Sequence, residues 1–497
     1  MTAQATQTRD LTVVIGLEVH VQLETDTKLF CGCSTVTAGD DPNTHTCPVC
    51  LGLPGALPVL NEAAVEAAVK VGKALGADIP EETRFHRKNY YYPDLPKNFQ
   101  ITQYDEPICR DGELEITVED ERRVIDVERA HLEEDPGSLK HEGGAIDRAE
   151  YTMIDDNRAG MPLMEIVTEP DFRSPGEVRA FLAKLEEVLE YLGVFDAERD
   201  GSLRVDANIS LVSDPEIKGG LTEEALAAAN RTEVKNISSH KGAERALAYE
   251  VTRQRNAVER GREVDQETRH WDESRGVTVS MRSKEEEKDY RYFREADLPP
   301  LRVSGGKEEI AIPELPDARR ERLREEYGLS AEEAAKLTST KRVADFYEEL
   351  TDEFAPDFAA TWVADRLLGE LHYRDLTLAA VDRGAFTRLL ELVDDEEITV
   401  KNAEEVVLRT MLDEGLGPDE VVEREGLGKT DDDEVAAAVA EAIEENPEAV
   451  EDYRAGEDGA LNYLVGQVMQ ATGGSADPGT VNEKLRAELA AREPADG

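Results

Sequence analysis

The stretch LTVVIGLEVHVQLE at residues 11–24 sets the first expectation about the fold. Apolar and polar residues alternate along it, which is typical of a β-strand that buries one of its two faces. Two of its polar residues, Glu18 and His20, are two positions apart and therefore project from the same face of a strand. The chain is thus expected to contain a sheet whose polar face carries a carboxylate and an imidazole.

Neighbouring segments extend this pattern into an α+β fold. ELEITVED and RRVIDVERAHLEED are predicted to pair as a hairpin, and GSLRVDANISLV is predicted to form a further strand. Two amphipathic helices are predicted, from Asn61 to Leu75 and from Pro175 to Leu192, and Ser174 is the expected N-cap of the second helix. Because later segments such as TSTKRVADFYEELTDEF are mostly helical, the predicted order is a β-rich part followed by helices.

The chain is 497 residues long. Its length and the changes in composition and predicted secondary structure along it predict three domains. Residues 1–297 are β-rich and contain nearly all the unusual residue clusters. Residues 298–408 begin with the breaker-rich segments DLPPLRV and IPELPD and continue as helices. Residues 409–497 are helical and more acidic, with 23 Asp or Glu against 6 Lys or Arg from Met411 onward.

The net charge of −52 arises from 109 acidic and 57 basic residues. The acidic residues are spread over segments with regular apolar periodicity, which favours a folded protein over a disordered one. Salt at about 1 M has a Debye length of roughly 3 Å and would screen the self-repulsion. The composition therefore indicates a cytoplasmic protein adapted to high salt, whereas an acidic partner-binding protein would more often concentrate its charge in one tail.

No targeting or membrane segment is expected from the sequence. The N-terminal MTAQATQTRD has no apolar stretch typical of a signal peptide. No run of about 18 apolar residues is present that would predict a membrane span.

Four of the five cysteines form two closely spaced pairs, which is the pattern of a tetrahedral zinc site made of four thiolates. The pairs are Cys31 with Cys33 and Cys47 with Cys50, and His45 beside the second pair is a reserve ligand. Four thiolates leave no open position, so the expected role of zinc is structural. Buried or redox-active cysteines are the alternative, and Cys109 is expected to be an ordinary core residue.

Acidic residues on predicted strands suggest a second cation site. Glu165 lies within the apolar run MPLMEIV, where an unpaired charge is costly. Two further strand segments place polar groups on one face: His131, Glu133 and Asp135, with Glu134 on the opposite face, and Arg204, Asp206 and Asn208. Several carboxylates with one imidazole are ligands that a hard cation such as Mg²⁺ accepts, and Mg²⁺ commonly binds phosphate groups as well. The alternative is that each acid is a solvated strand residue.

Two basic stretches stand out in this acidic chain. Residues 84–104 have a net charge of +3 and interleave Lys88 and Lys97 with tyrosine and phenylalanine, which suits a nucleotide or single-stranded RNA. Residues 231–262 have a net charge of +4, which suits phosphate contacts. The alternatives are an aromatic loop packed on a sheet and a helix with ion pairs such as Arg255 with Glu259.

The sequence lacks the G-x-x-x-x-G-K-[ST] loop and the dinucleotide fingerprint, so any ATP is bound without the common phosphate loop. Long ordered segments from residue 13 to about residue 470 resemble the B subunits of the tRNA-dependent amidotransferase GatCAB. These segments are VIGLEVHVQLETDTKLFCGCS, PNTHTCPVCLGLPGALPVLN, RKNYYYPDLPKNFQI, RAHLEEDPGS, NRAGMPLMEIVTEPDFRSP, GSLRVDANISL, KNISS and YLVGQVM. The related E subunit of archaea has a large extra domain, for which 497 residues leave little room.

The resemblance implies a specific reaction and set of partners. A protein of this kind binds misacylated Asp-tRNA(Asn) or Glu-tRNA(Gln) and uses ATP and Mg²⁺ to phosphorylate the side-chain carboxylate of the amino acid. The A subunit, an amidase, releases ammonia from glutamine, and the heterotrimer is completed by a small C subunit. The implied fold is a β-rich cradle domain, a helical domain and a helical YqeY-like tail, of which the latter two bind the tRNA.

The resemblance also implies roles for individual residues. The implied catalytic residues are Lys88, Glu134 and Glu165. The implied Mg²⁺ ligands are His20, Glu134 and Glu165, followed by Glu18, Glu133 and Asp206, although Glu133 and Glu134 can both serve only if the chain bends near Asp135–Pro136. The implied ATP contacts are Lys88, Lys97, Arg204 and Asn208. Because some family members lack the four cysteines, zinc is expected to support the structure rather than catalysis.

Two other functions remain open from the sequence. One is a non-catalytic tRNA-binding adaptor with a structural zinc, which would have no need of a buried acid such as Glu165. The other is an ATP-dependent amide ligase acting on small molecules, which the basic stretch at 231–262 and the helical tail disfavour.

Overall fold

The computed structural model describes residues 11–141, 150–197, 199, 201–213, 231–283, 290–303, 307–428, 432–455, 457–473, 476 and 478–492. The chain divides between Arg319 and Arg320 into two compact units. The first unit combines strands with helices, and the second is helical where the structure describes it. The predicted α+β class is therefore confirmed.

Among its described residues, the first unit contains the strands and three complete helices. The strands are β1 (Leu11–Gln22), β2 (Glu82–Thr83), β3 (His86–Asn89), β4 (Phe99–Thr102), β5 (Cys109–Val118), β6 (Glu121–Glu134), β7 (Ser138–His141), β8 (Thr152–Asp155), β9 (Pro162–Thr168), β10 (Leu203–Ser213), β11 (Thr232–Ile237), β12 (Glu267–Asp272), β13 (Val277–Ser283), β14 (Phe293–Arg294) and β15 (Leu301–Arg302). The helices are α1 (Glu62–Ala74), α2 (Pro175–Tyr191) and α3 (His240–Glu259).

Eight strands form one sheet in the order β13-β12-β11-β10-β1-β9-β6-β5. Neighbours are antiparallel except β11 and β12, which are parallel. The strand predicted at 11–24 is β1 and lies near the middle, paired with β10 on one side and β9 on the other. The predicted hairpin is the β5–β6 pair and the predicted strand GSLRVDANISLV is β10, so these predictions are confirmed.

The alternation along β1 separates a core face from a polar face. Val13, Ile15, Leu17, Val19 and Val21 are buried and belong to one apolar cluster with residues of α1, α2 and α3. The intervening positions face the other side of the sheet and include Glu18 and His20. The three helices thus cover one face of the sheet, which leaves the polar face available for a site.

The helix ends follow from capping side chains. Asn61 accepts the Ala63 N–H at the start of α1, and Ser174 accepts the Glu177 N–H at the start of α2, where Pro175 is the first helical residue. Both predicted helices are confirmed, although each ends one residue earlier than expected, at Ala74 and Tyr191. Within the described residues, no helix is long and apolar enough to cross a lipid bilayer.

The remaining helices begin with α4, which crosses the boundary between the units. They are α4 (Pro316–Tyr327), α5 (Ala331–Leu337), α6 (Lys341–Thr351), α7 (Pro356–Ala360), α8 (Leu368–Tyr373), α9 (Arg383–Asp394), α10 (Val400–Asn402), α11 (Arg409–Glu414), α12 (Pro418–Glu425), α13 (Asp432–Glu445), α14 (Pro447–Arg454), α15 (Asp458–Ala471) and α16 (Pro478–Ala491). Two π-helical segments, Thr361–Leu367 and Ala403–Leu408, continue directly into α8 and α11.

The described residues form three apolar cores. The first and the second core each extend beyond one of the two predicted domain boundaries. The first core ends at Val303, beyond the boundary predicted after residue 297, because β15 pairs with β2 and keeps this segment on the first unit. The second core extends from Leu323 to Leu427, beyond the boundary predicted after residue 408. The third extends from Val435 to Leu489. The assignment of functions to three domains stays a prediction.

Candidate functional site

Strand register brings two histidines to the two sides of one buried glutamate. Glu165 on β9 is paired with His20 on β1 and with His131 on β6. Residues directly opposite each other in adjacent strands share a face of the sheet. His20 Nδ1 and His131 Nε2 each lie 3.8 Å from Glu165 Oε2. Glu165 is buried, and the sequence alone indicated no partner for a charge in the apolar run MPLMEIV. The structure provides two imidazoles as its partners.

Glu133, two positions after His131 on β6, completes the group. One ligand atom from each of His20, Glu133 and Glu165 lies within 4.8 Å of the others. Lys88 Nζ lies 3.4 Å from Glu133 Oε2, and Gln100 Nε2 donates to Glu133 Oε1 at 3.0 Å. We call His20, Glu133 and Glu165 the acidic group. Two carboxylates and an imidazole are a donor set that could hold a divalent cation.

The charges around the acidic group keep Glu165 ionised and Lys88 protonated. Burial alone would lower the pKa of Lys88, but Glu133 and Glu165 outweigh burial and hold that pKa well above its usual value. Burial likewise opposes ionisation of Glu165, but the nearby cationic groups lower the pKa of its carboxyl. Burial lowers the pKa of His131, whereas Glu165 and Glu133 act to raise it. The charges of His131, His20 and Lys88, in that order, lower the pKa of the Glu165 carboxyl to about 2.

A cleft of about 550 Å³ adjoins the acidic group along the same face of the sheet. Its lining includes Glu18, Asn208, Arg129 and Arg231. Asn208 Nδ2 donates to Glu18 Oε1 at 3.3 Å. Burial, and then the charge of Glu165, raise the pKa of Glu18. The cleft thus has a carboxylate at one position and guanidinium groups at others, which suits a phosphorylated ligand that brings a cation.

The structure places Glu134 and Lys97 together but away from the acidic group. Side chains alternate along β6, so Glu134 points to the opposite side from Glu133. The Glu134 carboxylate accepts hydrogen bonds from the Lys97 ammonium and, at 2.8 Å, from the Ile101 N–H. Among the described residues, the group of His20, Glu133 and Glu165 does not include Glu134. The assignment of Glu134 to Mg²⁺ and of Lys97 to ATP stays a prediction.

Two other predicted site residues are held by partners within the protein. Arg204 Nη2 donates to the buried Asp135 carboxylate at 2.6 Å, and Arg158 donates to the same carboxylate. Asp206 accepts a hydrogen bond from Lys235. In the register of β1 and β10, Arg204 lies opposite His20 and Asp206 lies opposite Glu18. Their roles toward ATP and Mg²⁺ stay predictions.

The basic stretch at 84–104 is paired with acids of the same unit. Lys88 and Lys97 face Glu133 and Glu134, as described above. Arg87 makes two hydrogen bonds to Glu295, at 2.6 and 2.7 Å, and Arg84 pairs with Glu106 at 3.1 Å. Arg84 also pairs with the nearby Glu82 at 2.8 Å, whereas Lys88, Lys97 and Arg87 pair with acids far away in the sequence.

The four paired cysteines converge as the sequence predicts. Their sulfur atoms lie within 4.8 Å of one another, and Cys47 Sγ and Cys50 Sγ are 3.9 Å apart. Zinc–sulfur bonds of about 2.3 Å give a tetrahedron with an edge of about 3.8 Å, so this spacing fits a bound ion. The Cys47 N–H also donates to Cys50 Sγ at 3.1 Å. The hydrogen bond with Cys31 lowers the pKa of the Cys50 thiol to about 5.

Two further predictions about cysteines and their neighbours can be compared with the structure. His45 Nε2 contacts Asp40 Oδ2 at 2.7 Å, and in the described part of the chain His45 is outside the cysteine group. Cys109 is buried in the first apolar core, as predicted. The group that could hold a metal therefore consists of four thiols without an imidazole.

Gly52, which follows the second cysteine pair, leaves room for Lys97 to reach Glu134. Its φ is +64°, and a Cβ built on it would lie 2.3 Å from Lys97 Cγ. Gly52→Ala is expected to displace Lys97 and to destabilise the protein by about 1–3 kcal/mol. Gly55→Ala is the matched control, since Gly55 has a φ of +88° but open space at its Cβ. Urea unfolding measures the stability of both variants. An equal loss of unfolding free energy in the two variants would contradict a steric clash specific to Lys97.

The stretch at 231–262 presents unpaired basic groups on the solvent side of α3. Lys241 and Arg255 on α3, and Arg260 and Arg262 just after it, are exposed. Among the described residues, none of these four has an acidic partner within 4.0 Å, and the suggested pair of Arg255 with Glu259 is not formed. A cleft of about 470 Å³ at this end of the helix includes Arg260 and Arg262 in its lining. We call these four residues the basic face of α3.

Comparisons with known proteins agree over nearly the whole chain. Residues 13–308 match the family model of the GatB/GatE catalytic domain, and residues 345–489 match that of the GatB domain. A protein of Natronomonas pharaonis is 76% identical over 494 residues, covering 98% of this chain and 100% of the relative. A protein of Halobacterium salinarum is 73% identical, covering 99% of this chain and 100% of the relative. A protein of Methanospirillum hungatei is 54% identical, covering 96% of this chain and 98% of the relative. Each is described as the B subunit of an aspartyl/glutamyl-tRNA(Asn/Gln) amidotransferase.

Proposed function

Because this chain belongs to the GatB family, the B subunits of aspartyl/glutamyl-tRNA(Asn/Gln) amidotransferases, we propose that its acidic group is where the amino acid of a misacylated tRNA is activated. The chain is a subunit of the ATP-dependent, glutamine-hydrolysing ligase that converts misacylated tRNA into Asn-tRNA(Asn) or Gln-tRNA(Gln). The observation that carries the proposal is the burial of Glu133 and Glu165 beside Lys88 on the polar face of the sheet.

The acidic group fits the cation that ATP chemistry requires. His20, Glu133 and Glu165 would hold Mg²⁺, and two buried carboxylates are the hard ligands that this ion prefers. When bound, Mg²⁺ neutralises phosphate charge during transfer to the substrate carboxylate. The imidazole of His20 would equally accept Mn²⁺, so either ion is expected to support the reaction.

The remaining groups of the face act on the two anionic reactants. Lys88 carries a permanent positive charge next to the acidic group and is placed to neutralise the transferring phosphate. Asn208, Arg129 and Glu18 line the adjoining cleft, where the rest of the nucleotide would lie. Glu134, paired with Lys97, holds β4 through the Ile101 N–H, and Asp135 holds Arg204.

Reconstitution tests the function directly. The chain is purified together with the A and C subunits, and Asp-tRNA(Asn), Glu-tRNA(Gln), ATP and glutamine are supplied at high salt. We expect formation of Asn-tRNA(Asn) or Gln-tRNA(Gln), and ATP turnover that depends on the misacylated tRNA. Binding of tRNA without either product would support the adaptor function instead. Turnover of a free amino acid without tRNA would support the small-molecule ligase.

We propose that the four cysteines hold a structural Zn²⁺. Cys47→Ser is expected to remove most of the bound zinc and to lower the melting temperature, because a structural zinc contributes directly to folding. Metal analysis of the purified chain measures this loss. Cys109→Ser is the matched control, since Cys109 is equally a free cysteine but is buried in the apolar core. Undiminished zinc in Cys47→Ser would contradict the proposal.

We propose that the basic face of α3 contacts the phosphates of the tRNA. Acidic residues outnumber basic ones almost two to one. Within the described residues, these four basic groups, two on α3 and two just after it, still have no acidic partner within 4.0 Å. Phosphate contacts need such residues even on an acidic protein. The face also lies on the unit that contains the acidic group.

Removing three of these charges is expected to weaken tRNA binding. The combined variant Arg255→Gln, Arg260→Gln, Arg262→Gln should reduce the slope of log affinity against log salt by about 2 to 3, measured where the chain is folded. The control variant is Arg122→Gln, Arg275→Gln, Arg302→Gln, which removes the same charge from exposed arginines that have acidic partners. An equal change in both variants would show a general charge effect and contradict a specific contact.

We propose that the protein works in a reducing, salt-rich cytoplasm. The described cysteines form no disulfide, as expected where thiols are kept reduced. The net charge of −52 suits an environment in which dense salt screens self-repulsion.

A further inference from the structure

A fully buried lysine faces the four cysteines. Lys28 has an exposed fraction of 0%, and its Nζ donates to the carbonyl oxygens of His45 at 2.8 Å and Asp156 at 3.4 Å. The same Nζ lies 3.9 Å from Cys50 Sγ. Within the described residues, no carboxylate lies within 4.0 Å of this ammonium. A buried charge is costly unless an opposite charge compensates it. The Asp156 carboxyl interacts with the charge of Lys28 only from beyond 4.0 Å, so among the described residues the Cys50 sulfur is the nearest group that can carry a negative charge.

We propose that Lys28 is the counter-ion of a four-thiolate metal centre and raises its affinity for zinc. Four thiolates and one divalent ion carry a net charge of −2, which would compensate the buried Lys28 ammonium at close range. The inference rests on the proposed zinc site. Lys28 is a positioning residue: it does not bind the ion, and the two carbonyl groups aim its ammonium at Cys50.

The other states of the cysteines compensate the lysine less well. Four protonated thiols or two disulfides are neutral, and a single Cys50 thiolate, which the lowered pKa of this thiol favours, supplies one negative charge where the metal centre would carry −2. The exposed ion pairs of this chain weaken in molar salt, whereas a buried pair is screened much less. The contribution of Lys28 to zinc affinity is therefore expected to persist at the salt concentration in which the chain is folded.

Zinc affinity and the stability of the zinc-free chain test the inference together. The full-length chain is studied in salt at about 1 M, and zinc affinity is measured by competition with a chelator. Lys28→Met should weaken zinc binding by about 10- to 100-fold, as expected for a group that supports metal ligands. The same substitution should destabilise the zinc-free chain less than the zinc-bound chain, because the cysteines carry less negative charge without the metal centre. Loss of a purely structural lysine would lower stability equally in both forms.

Lys73→Met is the matched control. Lys73 Nζ also donates to a backbone carbonyl, that of Ile310 at 2.5 Å. Its hydrogen-bond partner is not one of the four cysteines that could hold a metal. This variant should bind zinc like the unmodified chain. If Lys28→Met does not fold, Lys28→Gln replaces it, because glutamine keeps a donor for the two carbonyls but has no charge. The same loss of zinc affinity is expected for Lys28→Gln.

Two results would overturn the inference. Zinc affinity of the Lys28 variant within twofold of the unmodified chain would show that the ammonium does not stabilise the centre. Equal loss of stability with and without zinc would show that Lys28 only ties the loop to its carbonyl partners. If the unmodified chain itself binds no zinc, the proposed zinc site fails and the inference fails with it, whereas the amidotransferase function is unaffected.

Discussion

Glu165→Gln is expected to lower transamidation by the assembled enzyme at least about 100-fold, the scale of losing one group that stabilises a charged transition state. The substitution keeps the shape of the side chain and removes the charge that lies between His20 and His131 and beside Lys88. Formation of amidated tRNA and tRNA-dependent ATP turnover should both be lost. Glutaminase activity of the amidase partner should stay detectable, because its active site is on another chain.

Glu177→Gln is the control for this substitution. Glu177 is also a buried glutamate of the first unit, but it accepts the Arg173 N–H and pairs with Arg123 at the start of α2, outside the acidic group. We expect it to lower stability while transamidation continues. If transamidation survives in Glu165→Gln, the acidic group is not the cation site and the roles proposed for His20 and Glu133 must be withdrawn.

The second large effect is expected from salt. At an ionic strength of about 0.1 M the Debye length is about 10 Å, so the 52 excess negative charges repel one another across neighbouring surface groups. Because a folded chain is stable by only about 5–15 kcal/mol, this repulsion is expected to unfold much of the protein at low salt. At about 1 M the Debye length is roughly 3 Å and the native state should return. Circular dichroism across this range measures the transition.

A neutral osmolyte separates charge screening from general stabilisation. Sucrose strengthens burial without screening charge, so it should not replace potassium chloride. The affinity for tRNA should rise with salt until the chain is folded, against the usual weakening of RNA binding. An affinity that falls steadily from low to molar salt would contradict adaptation to high salt.

The local chemistry of the sequence determined the elements that build the site. Alternation along residues 11–24 is enough to specify β1, and the capping residues Asn61 and Ser174 start their helices. The spacing of the four cysteines was likewise enough to predict their convergence, because two close pairs of thiols are the pattern of a tetrahedral metal site. Glu165 was recognisable as a residue in need of partners because every neighbour in MPLMEIV is apolar.

The tertiary structure alone decided which residues meet. Sheet register placed Glu165 between His20 and His131, and the alternation of β6 separated Glu133 from Glu134. Neither the register nor the acids that pair with the basic stretch at 84–104 can be derived from local periodicity, because they depend on contacts between distant segments. Lys28 carried no signal in the sequence at all: its meaning comes from complete burial beside Cys50, and burial is a property of the folded chain.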